Sequence, residues 1–208
     1  TEKAFTDGLK SSLATGNQGN VHRNAPTVMN AVYADKYFYD LRGLTLEKQS
    51  KHVIFDEKEF DTNFKEILGK LKQSEEYQSL FAGAYSDHPQ YSLSAATITN
   101  ALAYYVASLR SFNSPFDQYV RNEREDLSPS AKNGFNLFMG KAACGTCHFA
   151  PTFNGSVPPI YEESESEILG VPKTAENKEL DSDIGRVGNQ FPRDEAPFYV
   201  HSFKTVTV

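Results

Sequence analysis

This sequence predicts a mainly α-helical fold with long irregular loops, arranged in two halves. Three observations carry that expectation. Apolar residues recur at helical spacing in three segments. Each segment opens on a residue type that caps helices, and one adds Pro in its first turn. The stretches between are rich in Gly and Pro, which break regular structure. The 208 residues fit one large domain or two small ones, at about 150 residues per domain. Residues 113–127 hold Pro115, Asn122 and the charge run from Arg121 to Asp126. They read as a linker, so the expected domains are 1–113 and 114–208.

Taken in order, residues 1–58 are loop-rich, with Gly8, Gly16, Gly19 and Pro26 as breakers. Asp61 or Thr62 then caps a helix with Phe64, Ile67, Leu68 and Leu71 on one face. Ser94 caps a second, in which Ile98, Leu102, Tyr105, Val106 and Leu109 form the apolar stripe. It stops near 111–115, because the residue before Pro115 disfavours helix. A third begins at Ser128-Pro129, shows Phe135, Phe138 and Met139 on its apolar side, and runs into Gly140. Residues 151–195 are rich in Pro, Gly and acid, with ten Asp/Glu against four Lys/Arg between Ser156 and Glu195. That segment is either a solvated irregular surface or a docking face for a basic partner. Phe203 to Val208 reads as a strand.

Composition excludes several classes. Lys plus Arg is 21 and Asp plus Glu is 27, a formal charge of -6, so no basic excess drives binding to nucleic acid or anionic lipid. Hydrophobic residues make up 39%, with 15 Phe and 11 Tyr, enough to build a core. No apolar run approaches the roughly 18 residues of a membrane span. The chain opens Thr1-Glu2-Lys3, and both ends are expected to belong to a processed protein or a piece of a longer one.

Both cysteines lie in Cys144-Gly145-Thr146-Cys147-His148, the C-x-x-C-H signature of c-type haem attachment. Each thiol adds across one haem vinyl group, and the following His supplies an imidazole nitrogen to the iron. The rival readings are a redox dithiol, a disulfide or half a zinc site. Zinc would want two further ligands, and no second Cys pair exists. A redox C-x-x-C is expected near a βαβ pattern, which the sequence does not show. Covalent haem attachment points to the periplasm or an equivalent exported space. The sixth iron ligand stays open: Met29 and Met139 read as core, and His22 and His201 remain candidates.

Six pieces occur in a fixed order: Ala4-Phe5-Thr6-Asp7-Gly8, Arg23-Asn24-Ala25-Pro26-Thr27, Phe38-Tyr39-Asp40-Leu41-Arg42, Asn113 to Tyr119, the haem motif, and Phe203 to Val208. Together they resemble the bacterial di-haem cytochrome c peroxidase family, which also contains the di-haem enzyme that matures methylamine dehydrogenase. The resemblance implies two helical cytochrome c-like domains with one haem each. The first C-x-x-C-H is expected upstream of Thr1. Residues 1–113 are then the remnant of the first, peroxidatic haem domain. Residues 114–208 are the second, electron-transfer domain, expected to be incomplete at its C-terminus.

The resemblance also implies residue roles. Cys144, Cys147 and His148 hold the second haem. Glu59 matches the acid–base glutamate of the peroxide site, with Glu57 as the nearby rival; a carboxylate can take a proton from peroxide and return it to the leaving oxygen. Tyr39 stands where the family usually has Trp between the haems. Gly16 stands where classical members carry a mobile distal His, so the first haem is expected to be open. Asn24 with backbone oxygens of Thr205 and Thr207 matches a calcium site, oxygen ligands suiting a hard cation; on residues alone Asn24 is a turn residue. The implied function is a periplasmic peroxidase that reduces hydrogen peroxide to water with electrons from a small cytochrome c or cupredoxin. A homodimer is compatible with it. The alternatives are an electron-transfer module without peroxide turnover and a di-haem oxidase acting on a protein or organic substrate.

Overall fold

The computed structural model of the chain describes residues 3, 5–17, 19–88, 93–188 and 194–208. Thr1, Glu2 and Ala4 of the opening segments, and Pro89 beside His88, lie outside the described residues. Six helices and one two-stranded antiparallel sheet occur among the described residues, joined by long irregular loops, so the chain is mainly α as expected. It divides into two compact units. One is Thr1–Ala31 with Thr45–Leu109; the other is Val32–Leu44 with Arg110–Val208.

The first unit contains α1 (Leu46–Phe55), α2 (Phe64–Leu71), α3 (Glu75–Ala84) and α4 (Ala95–Ser108). Each starts at a side chain that accepts an orphan backbone N–H: Thr45 from Lys48, Asn63 from Glu66, Ser74 from Tyr77 and Ser94 from Thr97. At Ser94 the Thr97 hydroxyl answers back to the cap's own N–H at 2.9 Å, completing a capping box. The α2 cap is Asn63, just past the expected Asp61 or Thr62. Helix α1 occupies part of a stretch expected to be loop. The last breaker before it is Gly43, and the Thr45 cap then starts a run of good helix formers, Leu46-Glu47-Lys48-Gln49.

The expected stripe on α4 is corrected. Thr97, Ile98, Thr99 and Ala103 are its buried residues, whereas Leu102 is 42% and Tyr105 62% exposed. Helix α1 packs on α4 and buries Ile54. Small side chains at Thr99 and Ala103 let a neighbouring helix come close, so the buried face follows size rather than the largest apolar residues. Helix α4 also ends at Ser108, ahead of the expected stop.

The second unit contains α5 (Pro115–Val120), α6 (Pro129–Met139), β1 (Ser166–Ile168) and β2 (Ser202–Lys204). Helix α5 lies in the segment read as linker. Ser114 and Asp117 form a capping box around Pro115 in the first turn, a start signal that the proline's breaking role conceals. Helix α6 starts at Ser128-Pro129 as expected and stops at Gly140, where a Cβ would stand 2.7 Å from the Asn136 carbonyl oxygen. The sheet register sets Ser166 opposite Lys204, Glu167 opposite Phe203 and Ile168 opposite Ser202. The terminal strand is thus Ser202–Lys204, shifted from the expected 203–208.

Residues 32–44 were expected with the first domain but cluster with the second unit. The reason is long-range hydrogen bonding. The Lys204 N–H donates to the Tyr39 carbonyl at 2.7 Å, the Ser156 hydroxyl donates to the Tyr33 carbonyl at 3.3 Å, and the Ser164 hydroxyl donates to the Asp35 carboxylate.

Candidate haem site

The site is built at the end of α6. Gly140 breaks that helix, Ala143 takes a left-handed conformation (φ 55°), and a single 3-10 turn follows over Cys144–Thr146. This turn puts both thiols and His148 within five residues of compact backbone, with the His148 N–H donating to the Cys144 carbonyl at 3.0 Å. Both cysteines are free thiols and partly buried.

His148 is oriented by backbone. Its Nδ1 lies 2.9 Å from the Val206 carbonyl oxygen and 3.2 Å from that of Phe153. A carbonyl oxygen only accepts, so Nδ1 carries the proton, and in the neutral imidazole Nε2 keeps its lone pair. That is the tautomer an iron ligand needs, held by the outer hydrogen bond that metal-bound histidines usually make. Two free thiols at C-x-x-C spacing and a histidine with a tethered Nδ1–H fit covalent haem c.

The surroundings are aromatic. Phe138 stands edge-on to both His148 (6.4 Å between centroids) and Phe153 (5.6 Å). Phe116 continues the cluster to Phe153 and Phe135. Cys147 Sγ and carboxylate oxygens of Glu165 and Glu167 lie within 4.8 Å of one another. Burial, then the neighbouring Glu167 carboxylate, push the Glu165 carboxyl above its usual range, with His148 opposing.

The loop behind the histidine is fixed by Asn154, whose side-chain oxygen accepts from the Thr152 hydroxyl and the Ser156 N–H, both at 2.9 Å. Beyond it Gly155, Glu165 and Thr205 form a closed set of backbone bonds. Gly155 N–H donates to Thr205 (3.1 Å), Thr205 N–H to Glu165 (3.1 Å) and Glu165 N–H to Gly155 (2.8 Å). A Cβ at 155 would lie 2.7 Å from Thr205 Cβ, so only glycine fits.

The other expected site residues fall as follows. Glu59 is partly buried in the turn after α1, its N–H donating to the Asp56 carbonyl at 3.0 Å, and Glu57 is exposed. The Thr15 N–H donates to the Lys58 carbonyl at 3.0 Å, so the loop carrying Gly16 adjoins the turn carrying Glu59. Tyr39 lies in the second unit, beside buried Asp40, whose carboxylate takes the Arg42 guanidinium at 2.9 Å on both oxygens. Arg42 in turn covers the Phe38 ring at 3.6 Å. Asn24 is exposed and belongs to the first unit; buried Thr205 and exposed Thr207 belong to the second. His201 Nδ1 is 2.8 Å from the Asp183 carbonyl, and Met139 is 47% exposed.

Sequence reasoning missed Val206 and Phe153, because a backbone carbonyl has no side-chain signature. It also missed Lys204. The Lys204 ammonium donates to the Lys36 carbonyl at 2.6 Å, and burial, opposed by the Asp35 charge, pushes its pKa down to about 8.

The sequence profile described as "Di-haem cytochrome c peroxidase" matches residues 1–125. The methylamine utilization protein MauG of Methylophilus methylotrophus is 31% identical over 206 residues, 98% of this chain and 55% of that protein. The cytochrome c peroxidase Ccp of Escherichia coli K12 is 32% identical over 184 residues, 87% of this chain and 36% of that one. The chain therefore spans about half the length, or less, of these relatives. Among solved structures, a MauG-like protein associated with microbial copper homeostasis superposes with a TM-score of 0.82 at 22% identity, over 99% of this chain and 60% of that one. The diheme peroxidase BthA from Burkholderia thailandensis E264 gives 0.73 at 18% identity, over 95% of this chain and 54% of that one. These two likenesses concern the fold. The profile covers more than half of the chain, which belongs to the di-haem cytochrome c peroxidase family.

Proposed function

We propose that this chain is part of a periplasmic di-haem peroxidase that reduces hydrogen peroxide to water with electrons from a small cytochrome c or cupredoxin. The carrying observation is the Nδ1–H of His148, held by the Val206 carbonyl directly after two free thiols. Cys144 and Cys147 would hold haem c through thioethers, and His148 would supply an imidazole nitrogen to its iron. When bound, the haem supplies one-electron redox chemistry. Glu59 moves protons at the peroxide site of the first haem domain: its carboxylate accepts one from peroxide and returns it to the leaving oxygen. Tyr39 relays electrons in place of the family's Trp. The protein also holds calcium, and the chelator-treated protein should then lose stability that added calcium restores.

The deciding experiment measures haem per polypeptide and intact mass on the natively purified protein, beside a Cys144→Ser/Cys147→Ser variant. Covalent haem surviving denaturation in the native protein and lost in the variant supports the reading. A native chain free of covalent haem would falsify it. The match to a methylamine utilization protein over nearly the whole chain keeps a second reading, an oxidase of a protein or organic substrate. Peroxide-dependent oxidation of a reduced cytochrome favours the peroxidase; a long-lived oxidised state with poor cytochrome turnover favours the oxidase.

A further inference from the structure

We propose that Lys204 is a positioning residue that locks the Tyr39-bearing segment onto the strap of backbone that also orients His148. The inference rests on the reading of Cys144, Cys147 and His148 as a haem c site. The strap is short. At Lys204 its N–H donates to the Tyr39 carbonyl at 2.7 Å, and two residues later the Val206 carbonyl takes the His148 Nδ1–H at 2.9 Å. The Lys204 side chain adds a second anchor to the same segment: Nζ donates to the Lys36 carbonyl at 2.6 Å and stands 5.8 Å from the centre of the Tyr37 ring. One residue thus grips residues 36–39 at two carbonyls.

The strap has little slack to absorb a displacement. Between the two grips, Thr205 is bonded on both sides, to Glu165 and to Gly155, and the Gly155 backbone sits where no side chain fits. A shift of the Tyr39 segment is therefore transmitted to Val206 and to the imidazole behind it. The segment itself is stiff: Tyr37 and Gly43 exchange backbone bonds at 2.7 and 3.2 Å, and the Tyr37 hydroxyl donates to the Ala34 carbonyl at 2.9 Å.

The choice of lysine is informative. Its ammonium is withdrawn from solvent, with Asp35 the charged group acting on it, and burying such a charge is unfavourable. Methionine would fill similar space without that cost. What lysine adds is the donor to the Lys36 carbonyl, a charge-assisted hydrogen bond.

The test uses the haem-loaded full chain with Lys204→Met and Lys204→Arg, read by amide exchange and by the midpoint potential of the His148 haem. Lys204→Met is expected to speed exchange about tenfold, the effect of losing one such bond, both in residues 36–43 and in residues 148–155. It should also raise the midpoint potential, because a looser Nδ1–H bond makes the imidazole a weaker donor to iron. Lys204→Arg keeps a donor and should return both readouts towards the native values. Faster exchange confined to residues 36–43 with an unchanged potential overturns the proposal, as does no change in either readout. Should Lys204→Met not fold, Lys204→Gln, too short to reach the Lys36 carbonyl, makes the same comparison. If the native chain holds no covalent haem, the haem reading fails by itself, and the exchange at 36–43 and 148–155 still decides whether Lys204 ties the two segments.

Discussion

Each of the two units is held together internally by its own means. In the first, four helices each begin at a side-chain cap, and α1 packs on α4. Its helix starts are fixed locally: each cap reaches three residues along the chain. In the second, two short helices and two three-residue strands are tied by hydrogen bonds spanning 123, 129 and 168 residues of sequence. Local contacts tolerate single losses, because each helix keeps its other bonds. A strap of single long-range bonds does not, and the second unit is the one that carries the haem motif.

Five changes break or sharpen that contrast. The largest expected effect is at the thiols. Cys144→Ser/Cys147→Ser should abolish covalently retained haem, read by haem stain after denaturation, while the circular dichroism of the first unit's helices persists. Glu59→Gln should lower peroxide-dependent kcat by about 10² to 10⁴, read as peroxide-dependent oxidation of a reduced cytochrome.

The next effect is structural and belongs to the second unit. Gly185 has φ 65°, and a Cβ there would strike the Ser202 carbonyl oxygen. Gly185→Ala should therefore cost about 2–4 kcal/mol in denaturant unfolding, strain adding to overpacking. Lys204 supplies a pH signature. Its folded pKa, about 8, lies below its ordinary 10.5, so between those values the unfolded chain binds more protons. Stability should then rise with pH across that window, by up to about 1.4 kcal/mol per pH unit, and this slope should vanish in Lys204→Met. The smallest effect is in the first unit: Ser94→Ala removes one helix cap and should cost about 1 kcal/mol. Equal losses for Gly185→Ala and Ser94→Ala would remove the distinction between the units.

What the sequence revealed follows the same division. Ser94 and Ser128-Pro129 announced their helices because a cap and its partner sit side by side in the chain. The haem motif was legible for the same reason, its chemistry being packed into five residues. Ser114 and Pro115 carry equally local information, but proline both starts and stops helices, so the sequence alone does not say which it does here. The α4 stripe differs because the buried face depends on which elements pack around the helix, and periodicity does not encode that. The grip on Tyr39 and the carbonyl behind His148 were invisible. They depend on backbone atoms brought together from distant parts of the chain, and any residue but proline can donate an N–H.

The placement of Val32–Leu44 has a consequence for recombining this protein with its relatives. The chain passes between the units three times, after Ala31, Leu44 and Leu109. A single crossover near residue 110, where a cut looks natural, would pair one parent's Tyr33, Asp35, Lys36 and Tyr39 with another parent's Ser156, Ser164 and Lys204. A faithful chimera exchanges residues 32–44 together with residues 110–208. The second unit is therefore inherited as two separated pieces that must come from the same parent.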